Sequence, residues 1–272
     1  MGSFKTLAVA GAVAGLTVAA AHAADLAPAT ITQPAMQEFS GWYLRGNIGM
    51  TNQQVRGLTN TVAPGTTVQT QFLTFDSAPF AGLGLGYQVN NWLRFDGTAE
   101  YRANAHFHGQ QVASFGGTIL PDDYHASKSE WLFLANAYVD LGTWWSVTPF
   151  IGAGIGASRN TISSFVDTGA TQVGGTILST TYGNTASKWN LAWALYGGLA
   201  YRVTPGLTLE LAYRYLDLGA ATTGRTNSFD GVTIVNGTPF GFHDITSHDF
   251  MLGMRWMLNE PAAMPAPIVR KG

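Results

Sequence analysis

The stretch LRFDGTAEYR, residues 93–102, decides the fold. Leu93, Phe95, Gly97, Ala99 and Tyr101 carry no charge, whereas Arg94, Asp96, Thr98, Glu100 and Arg102 carry four charges among five side chains. A period of two is the signature of a strand, because successive side chains leave opposite faces of the backbone. In a soluble protein the apolar face would be the core. In a membrane barrel the apolar face meets lipid and the charges point into the lumen. The rest of the chain has to choose between these.

Charged residues make up only 11 % of the 272 residues, well under the roughly 25 % of an ordinary soluble protein. There are 33 glycines, 12 % aromatic residues and no cysteine, which excludes a disulfide scaffold and thiolate metal sites. The formal net charge of −2 argues against a nucleic-acid partner. Residues 1–23 read as a cleaved secretory signal: Lys5 supplies the positive region, Leu7 to Ala20 a small-residue apolar stretch, and Ala21-His22-Ala23 the cleavage site. Removing Lys5 leaves 13 basic against 16 acidic residues, a net of −3. No later run of eighteen apolar residues occurs, so no transmembrane helix is expected. An exported chain of this composition is either a soluble periplasmic β protein or an outer-membrane barrel.

Residues 24–40 show no period and form an irregular lead-in. Eight alternating segments follow, at about 42–50, 79–89, 92–102, 130–141, 147–158, 189–203, 207–218 and 245–258. Asn90-Asn91, Gly142 to Ser146 and Thr204-Pro205-Gly206 are short connections of turn-forming composition. The other four gaps, 51–78, 103–129, 159–188 and 219–244, each exceed 25 residues and are expected to be long loops. Strict alternation of short and long connections puts all tight turns at one end of an antiparallel sheet. Outer-membrane barrels have this asymmetry, with short periplasmic turns and long external loops.

The faces can then be assigned. One face carries large apolar residues, with Trp42, Trp92, Trp131, Trp189 and Trp256 near strand ends as an expected aromatic belt. The other mixes charge with glycine and alanine. Arg45, Arg94, Arg102, Arg202, Arg214 and Arg255 face Asp96, Glu100, Asp140, Glu210 and Asp249, a near balance that a buried network requires. A water-facing surface would carry many lysines, and these segments offer only Lys188 at one margin. An eight-stranded barrel leaves an interior that side chains just fill, so small residues must make room for arginines. The expected fold is therefore all-β: an eight-stranded antiparallel up-and-down transmembrane barrel over 41–258, with a proline-rich tail at 259–272.

Other motifs are weaker. Gly82-Leu-Gly-Leu-Gly86 and Gly152-Ala-Gly-Ile-Gly156 lack the third glycine and following helix of a dinucleotide fingerprint, and read as lumenal gaps. No cofactor is expected. His106, His108 and His125 with Asp122 and Asp123 share one predicted loop, and His243, Asp244, His248 and Asp249 cluster near the last strand. Zinc is conceivable at both, and solvated side chains are the simpler reading. Ser247, His248 and Asp217 offer hydrolase-type side chains without a local signature, so no enzyme activity is expected.

GWYLRG (41–46), NAYVDLG (136–142), PFIGAGIG (149–156), LAYRYLDLG (211–219) and LGMRWML (252–258) together resemble the small porin-like outer-membrane β-barrel proteins of alpha-proteobacteria, the outer membrane immunogenic proteins among them. The resemblance spans residues 41–258 and lies in the order and spacing of the motifs. It implies an eight-stranded barrel in the outer membrane with surface-exposed loops and a structural, antigenic or porin-like role. Two features depart from common outer-membrane barrels. Leu258 stands where a terminal aromatic is usual, and the 14-residue tail has no peptidoglycan-binding domain. The expected function is a structural or surface-interaction barrel. A narrow channel, a lipid-modifying enzyme and a soluble periplasmic barrel are the alternatives. The expected partners are outer-membrane lipid, the barrel assembly machinery and external ligands or host surfaces met by the long loops.

Overall fold

A computed structural model describes residues 40–258 except 63, 173–175, 230 and 231, and the side chains of 170–178 lie outside the description. The proposed signal, the lead-in as far as residue 39 and the tail from 259 lie outside it too. Thirteen strands occur among the described residues: β1 (Gly41–Gln54), β2 (Gly57–Thr59), β3 (Thr67–Phe75), β4 (Ala78–Gln88), β5 (Leu93–Phe115), β6 (Thr118–Asp140), β7 (Val147–Gln172), β8 (Thr176–Gly183), β9 (Ala186–Arg202), β10 (Leu207–Thr222), β11 (Thr226–Phe229), β12 (Ile234–Gly237) and β13 (Gly241–Met257).

Eight of them close a ring in the order β1, β4, β5, β6, β7, β9, β10, β13 and back to β1, every pair antiparallel. Closure removes free sheet edges, and only closed barrels and helices satisfy every backbone polar group in hydrocarbon. The ends meet directly: Tyr43 pairs with Met257, and the Leu258 amide donates to the Trp42 carbonyl at 2.8 Å. The turns beside this seam are short. Asn90 accepts the amides of Trp92 (3.0 Å) and Leu93 (2.8 Å) on its side-chain oxygen, a side-chain-stabilised turn. This is the turn end of the barrel. The opposite end is the hairpin end.

The hairpin end corrects the expectation of four long loops. Segment 103–129 is almost all strand: β5 and β6 run on past the apolar band and reverse at Gly116-Gly117, with φ of 57° and 84°. Two consecutive positive φ values match a tight hairpin turn that twists with its strands, and glycine adopts them without steric cost. Segment 51–78 holds the end of β1 with β2 and β3. Segment 159–188 holds the rest of β7 with β8, and 219–244 holds the end of β10 with β11 and β12. β8, β11 and β12 extend β7 sideways, and β3 takes the place of β4 beside β5.

The reason is visible in the burial pattern. From Leu93 to Arg102 the outward positions are apolar and the inward ones polar. Register shifts then occur at Arg102/Ala105 between β5 and β6, at His125/Ser127 between β6 and β7, and at Asp217/Gly219 between β10 and β13. Beyond them Ala105 and Phe107 face inward while His106 and Gln110 face out. The alternation persists but its sign inverts. Each extra residue of a β-bulge changes which side chains face in. The inverted region builds a conventional apolar core from Leu58, Phe75, Phe107, Tyr124, Phe165 and Phe242.

Candidate functional site

Inside the membrane-facing half the lumen holds two ionic clusters. At the turn end Glu210 lies between three guanidinium groups: Arg45 (3.2 Å), Arg94 (3.3 Å) and Arg255 (2.7 Å). Arg45 also pairs with Asp96 at 3.0 Å, and Arg94 with Asp140 at 3.2 Å. The Tyr43 hydroxyl donates to Asp96 at 3.0 Å, and the Asn136 amide donates to its other oxygen at 2.8 Å. Closer to the hairpin end, Asp249 accepts from Arg102 (2.7 Å), Arg214 (2.9 Å) and Ser247 (2.5 Å). Arg214 forms a two-pronged pair with Glu100 at 2.9 and 2.7 Å, and Glu130 takes both Arg102 and Lys128.

Each cluster balances. Arg45, Arg94 and Arg255 meet Asp96, Asp140 and Glu210, while Arg102, Arg214 and Lys128 meet Glu100, Glu130 and Asp249. Balance matters because a buried charge without a partner is strongly destabilising. Aromatic rings fill the space around the clusters. Arg94 sits 4.1 Å from the Tyr138 ring centre and 4.8 Å from that of Phe150, and Phe80 lies 5.0 Å from Arg102 and 5.2 Å from Arg214. Planar guanidinium groups pair and stack at once, which suits arginine to such a lumen.

The expected lumen set needs one removal and two additions. Arg202 is exposed at the turn end, where it lines a small cavity of about 50 Å³ with Gln88, Asp140 and Arg255. β9 ends there, so the inward parity of Arg202 no longer leads to a closed interior. Lys128 and Glu130 are fully buried partners that the sequence reading left out. Lys128 fell in a predicted loop, and the alternation Tyr124, Ala126, Lys128, Glu130 was the signal that could have found it. The aromatic belt residues are all exposed: Trp42, Trp92 and Trp256 at the turn end of the apolar band, and Trp131 and Trp189 at its hairpin end.

Lumenal glycines sit where a side chain would collide. A Cβ on Gly86 would lie 2.3 Å from the Tyr43 ring, and one on Gly82 would lie 2.4 Å from Glu100. The glycine repeat thus makes room for the network.

The histidine and triad groupings are dispersed. His108 and His125 meet at 3.1 Å on the outer surface, Asp123 accepts from Gln110, and Asp122 lines the opposite, inner side. His243 bonds Thr59, while His248 bonds the Tyr213 hydroxyl on the outer face. Ser247 points into the lumen, so Ser247 and His248 occupy opposite faces of β13. No cluster of three or more metal-ligating side chains occurs among the described residues.

Above the apolar core, the hairpin end opens into a cavity of about 440 Å³ lined by Asp122, Asp167, Thr181, Thr226, Ser228 and Phe240, among others. Burial, then Asp122 and Asp123, raises the Asp167 carboxyl to about 7. Burial and then Asp123 raise Asp122 to about 6. Burial and then Asp167 push the Tyr124 phenol well above its usual range. The tips beyond are unusually apolar: Val232 is 82 % exposed, Ile234 73 % and Ile119 70 %.

Comparison with known proteins gives a consistent match. A family profile described as an outer membrane protein beta-barrel domain matches residues 10–254. An uncharacterized protein of Brucella abortus (strain 2308) is 31 % identical over 234 residues, covering 77 % of this chain and 80 % of that protein. A putative adhesin of Rickettsia bellii (strain OSU 85-389) is 30 % identical over 168 residues, 58 % of this chain and 70 % of that protein. Among solved structures, the outer membrane protein OprG from Pseudomonas aeruginosa aligns over 81 % of this chain and 98 % of that chain, at 14 % identity and a TM-score of 0.44.

Proposed function

We propose that this chain, which belongs to the outer membrane protein beta-barrel domain family, uses its membrane barrel as a closed pedestal and its hairpin end as a contact surface for macromolecules outside the cell. The observation that carries this reading is the set of exposed apolar side chains at the hairpin tips: Phe115 and Ile119 on β5–β6, with Val232, Ile234 and Val235 around β12. Apolar side chains gathered on a water-facing surface mark interaction sites more often than they mark anything else. The orientation follows from the connections, since barrels of this class keep short turns in the periplasm. The name putative adhesin carried by a relative agrees with the reading. The filled lumen supports a pedestal over a pore, because charges and aromatic rings occupy the cross-section that water would need.

The test has three arms. An epitope tag in the Gly116-Gly117 turn is expected to be detected on intact cells, and one at Pro205 is not. Cells displaying the protein are expected to adhere to immobilised host cells, and Ile119→Ser with Ile234→Ser is expected to abolish adhesion while leaving the tag at the surface. In a planar lipid bilayer the purified protein is expected to give no stable conductance steps. Porin-sized openings would replace this reading with transport, and adhesion indifferent to the apolar tips would remove them as the contact surface.

A further inference from the structure

The outer surface carries one arrangement that neither the lumen nor the tips explain. β6, β7 and β9 run side by side at the hairpin edge of the apolar band. Their register sets Trp131, Arg159 and Trp189 in one row across the three strands. The next outward row, one step farther from the membrane, is Ser129, Thr161 and Ser187. The Thr161 and Ser187 hydroxyls bond each other at 2.9 Å. Arg159 is exposed, and among the described residues no carboxylate forms an ion pair with it. The row nearer the membrane centre, Phe133, Ala157 and Leu191, is apolar.

We infer that this patch binds the phosphate of an anionic lipid in the hairpin-side leaflet. A guanidinium is the side chain best suited to a phosphate, presenting several donors in a fixed fork. Hydroxyl donors lie immediately above it. The flanking tryptophans sit at headgroup depth, where amphipathic rings are favoured, and fix the level of the site in the membrane. Trp131 stacks with Phe133 at 6.3 Å, and Phe133 with Trp189 at 6.2 Å, so the platform is one packed surface. Beside it, a shallow apolar groove of about 740 Å³ runs from Trp131 across β5, β4 and β1, over Ala99, Ala81 and Gly46 and between Ile48 and Leu83. The small side chains at Gly46, Ala81 and Ala99 leave a depression in an otherwise bulky lipid-facing surface, room for part of an acyl chain. Headgroup cradle and apolar groove are continuous at Trp131. The arrangement thus matches a molecule with an anionic head and an apolar tail, and a free phosphate would use only half of it.

The probe is protein folded into phosphatidylcholine vesicles that contain either brominated phosphatidic acid or brominated phosphatidylcholine at equal mole fraction. Bromine quenches nearby tryptophan, and Trp131 and Trp189 report on the site. One cation at a membrane surface corresponds to a preference of about fivefold for the anionic lipid. Wild type is expected to show that preference in quenching, Arg159→Lys to keep most of it, and Arg159→Gln to bring the ratio to about one. Heat-dependent migration on a gel checks that each variant is folded. Replacing both Trp131 and Trp189 with Phe is expected to remove the differential signal. Equal quenching by both lipids in wild type, or a preference that survives Arg159→Gln, would overturn the site. Loss of the preference on adding inorganic phosphate at matching concentration would overturn the lipid as its ligand.

Discussion

Strand β5 holds two opposite solutions to one problem. Between Leu93 and Arg102 its charges point inward and its apolar side chains outward, whereas beyond the bulge Ala105, Phe107 and Gly109 point inward and His106, His108 and Gln110 outward. Backbone, hydrogen bonding and partner strand β6 are common to both halves. What differs is the medium outside. Hydrocarbon excludes outward polar groups, so polar side chains collect in the lumen and must pair there. Water tolerates outward polar groups, so burial of apolar area drives the core of the other half. Amphipathicity therefore identifies a strand, and its sign identifies the solvent.

The largest effect separating the two halves is expected from the ionic core. Asp249→Ala leaves Arg102 and Arg214 without their shared partner and is expected to cost about 3–5 kcal/mol in urea unfolding from lipid vesicles. Removing Arg214 and Glu100 together is expected to cost less than the sum of the single changes, because the two are directly coupled. Next comes Gly97→Arg, which adds an outward cation where no protein atom lies within 4 Å of a Cβ and lipid is the neighbour. A cost of about 2–4 kcal/mol is expected near the bilayer midplane. An outward arginine on the far side of the bulge, Gln110→Arg, is expected to stay within about 0.5 kcal/mol, because the side chain meets water and can still pair with Asp123. Equal costs at 97 and 110 would erase the distinction between the halves.

A smaller effect belongs to the hairpin end alone. Asp122 and Asp167 hold their protons more tightly when folded, at about 6 and about 7, than at the ordinary 3.8. The folded state then binds more protons between those values, so stability falls as pH rises through that window and is greatest below it. Amide protection factors around residues 119–124 and 165–169, taken relative to the base-catalysed intrinsic exchange at each pH, are expected to be lower at pH 8 than at pH 5, with Asp167→Asn flattening the difference. Protection that rises with pH would contradict the sign.

The ring of eight was legible because lipid imposes so regular a pattern: Trp42 to Met50 and Phe250 to Trp256 alternate without a break. The charge network was legible for the same reason, save at its edges. Arg202 keeps the inward parity of its strand, yet parity alone does not show where a lumen ends. The hairpin end was hidden by the inversion itself. Once His106 and Gln110 replaced apolar side chains on the outward face, a pattern tuned to lipid read as loop. Phe115-Gly116-Gly117-Thr118 between alternating flanks was the overlooked hairpin signal. The lateral strands β8, β11 and β12 have no comparable local signature, since Thr, Ser and Gly suit strand and loop alike.

The most direct test uses the absence of cysteine from the chain, which makes any introduced thiol the sole one. Single cysteines are placed along β5 from 95 to 112 in protein folded into vesicles, and each is treated with a water-soluble or a lipid-dissolved maleimide. Positions 95, 97, 99 and 101 are expected to react only from lipid, and 106, 108, 110 and 112 only from water. The inward positions 96, 98, 100, 107, 109 and 111 are expected to react with neither. A change of both reagent and parity between 102 and 105 is the predicted result. Reaction of 95 to 101 with the water-soluble reagent, or an unbroken parity across the bulge, would contradict the account.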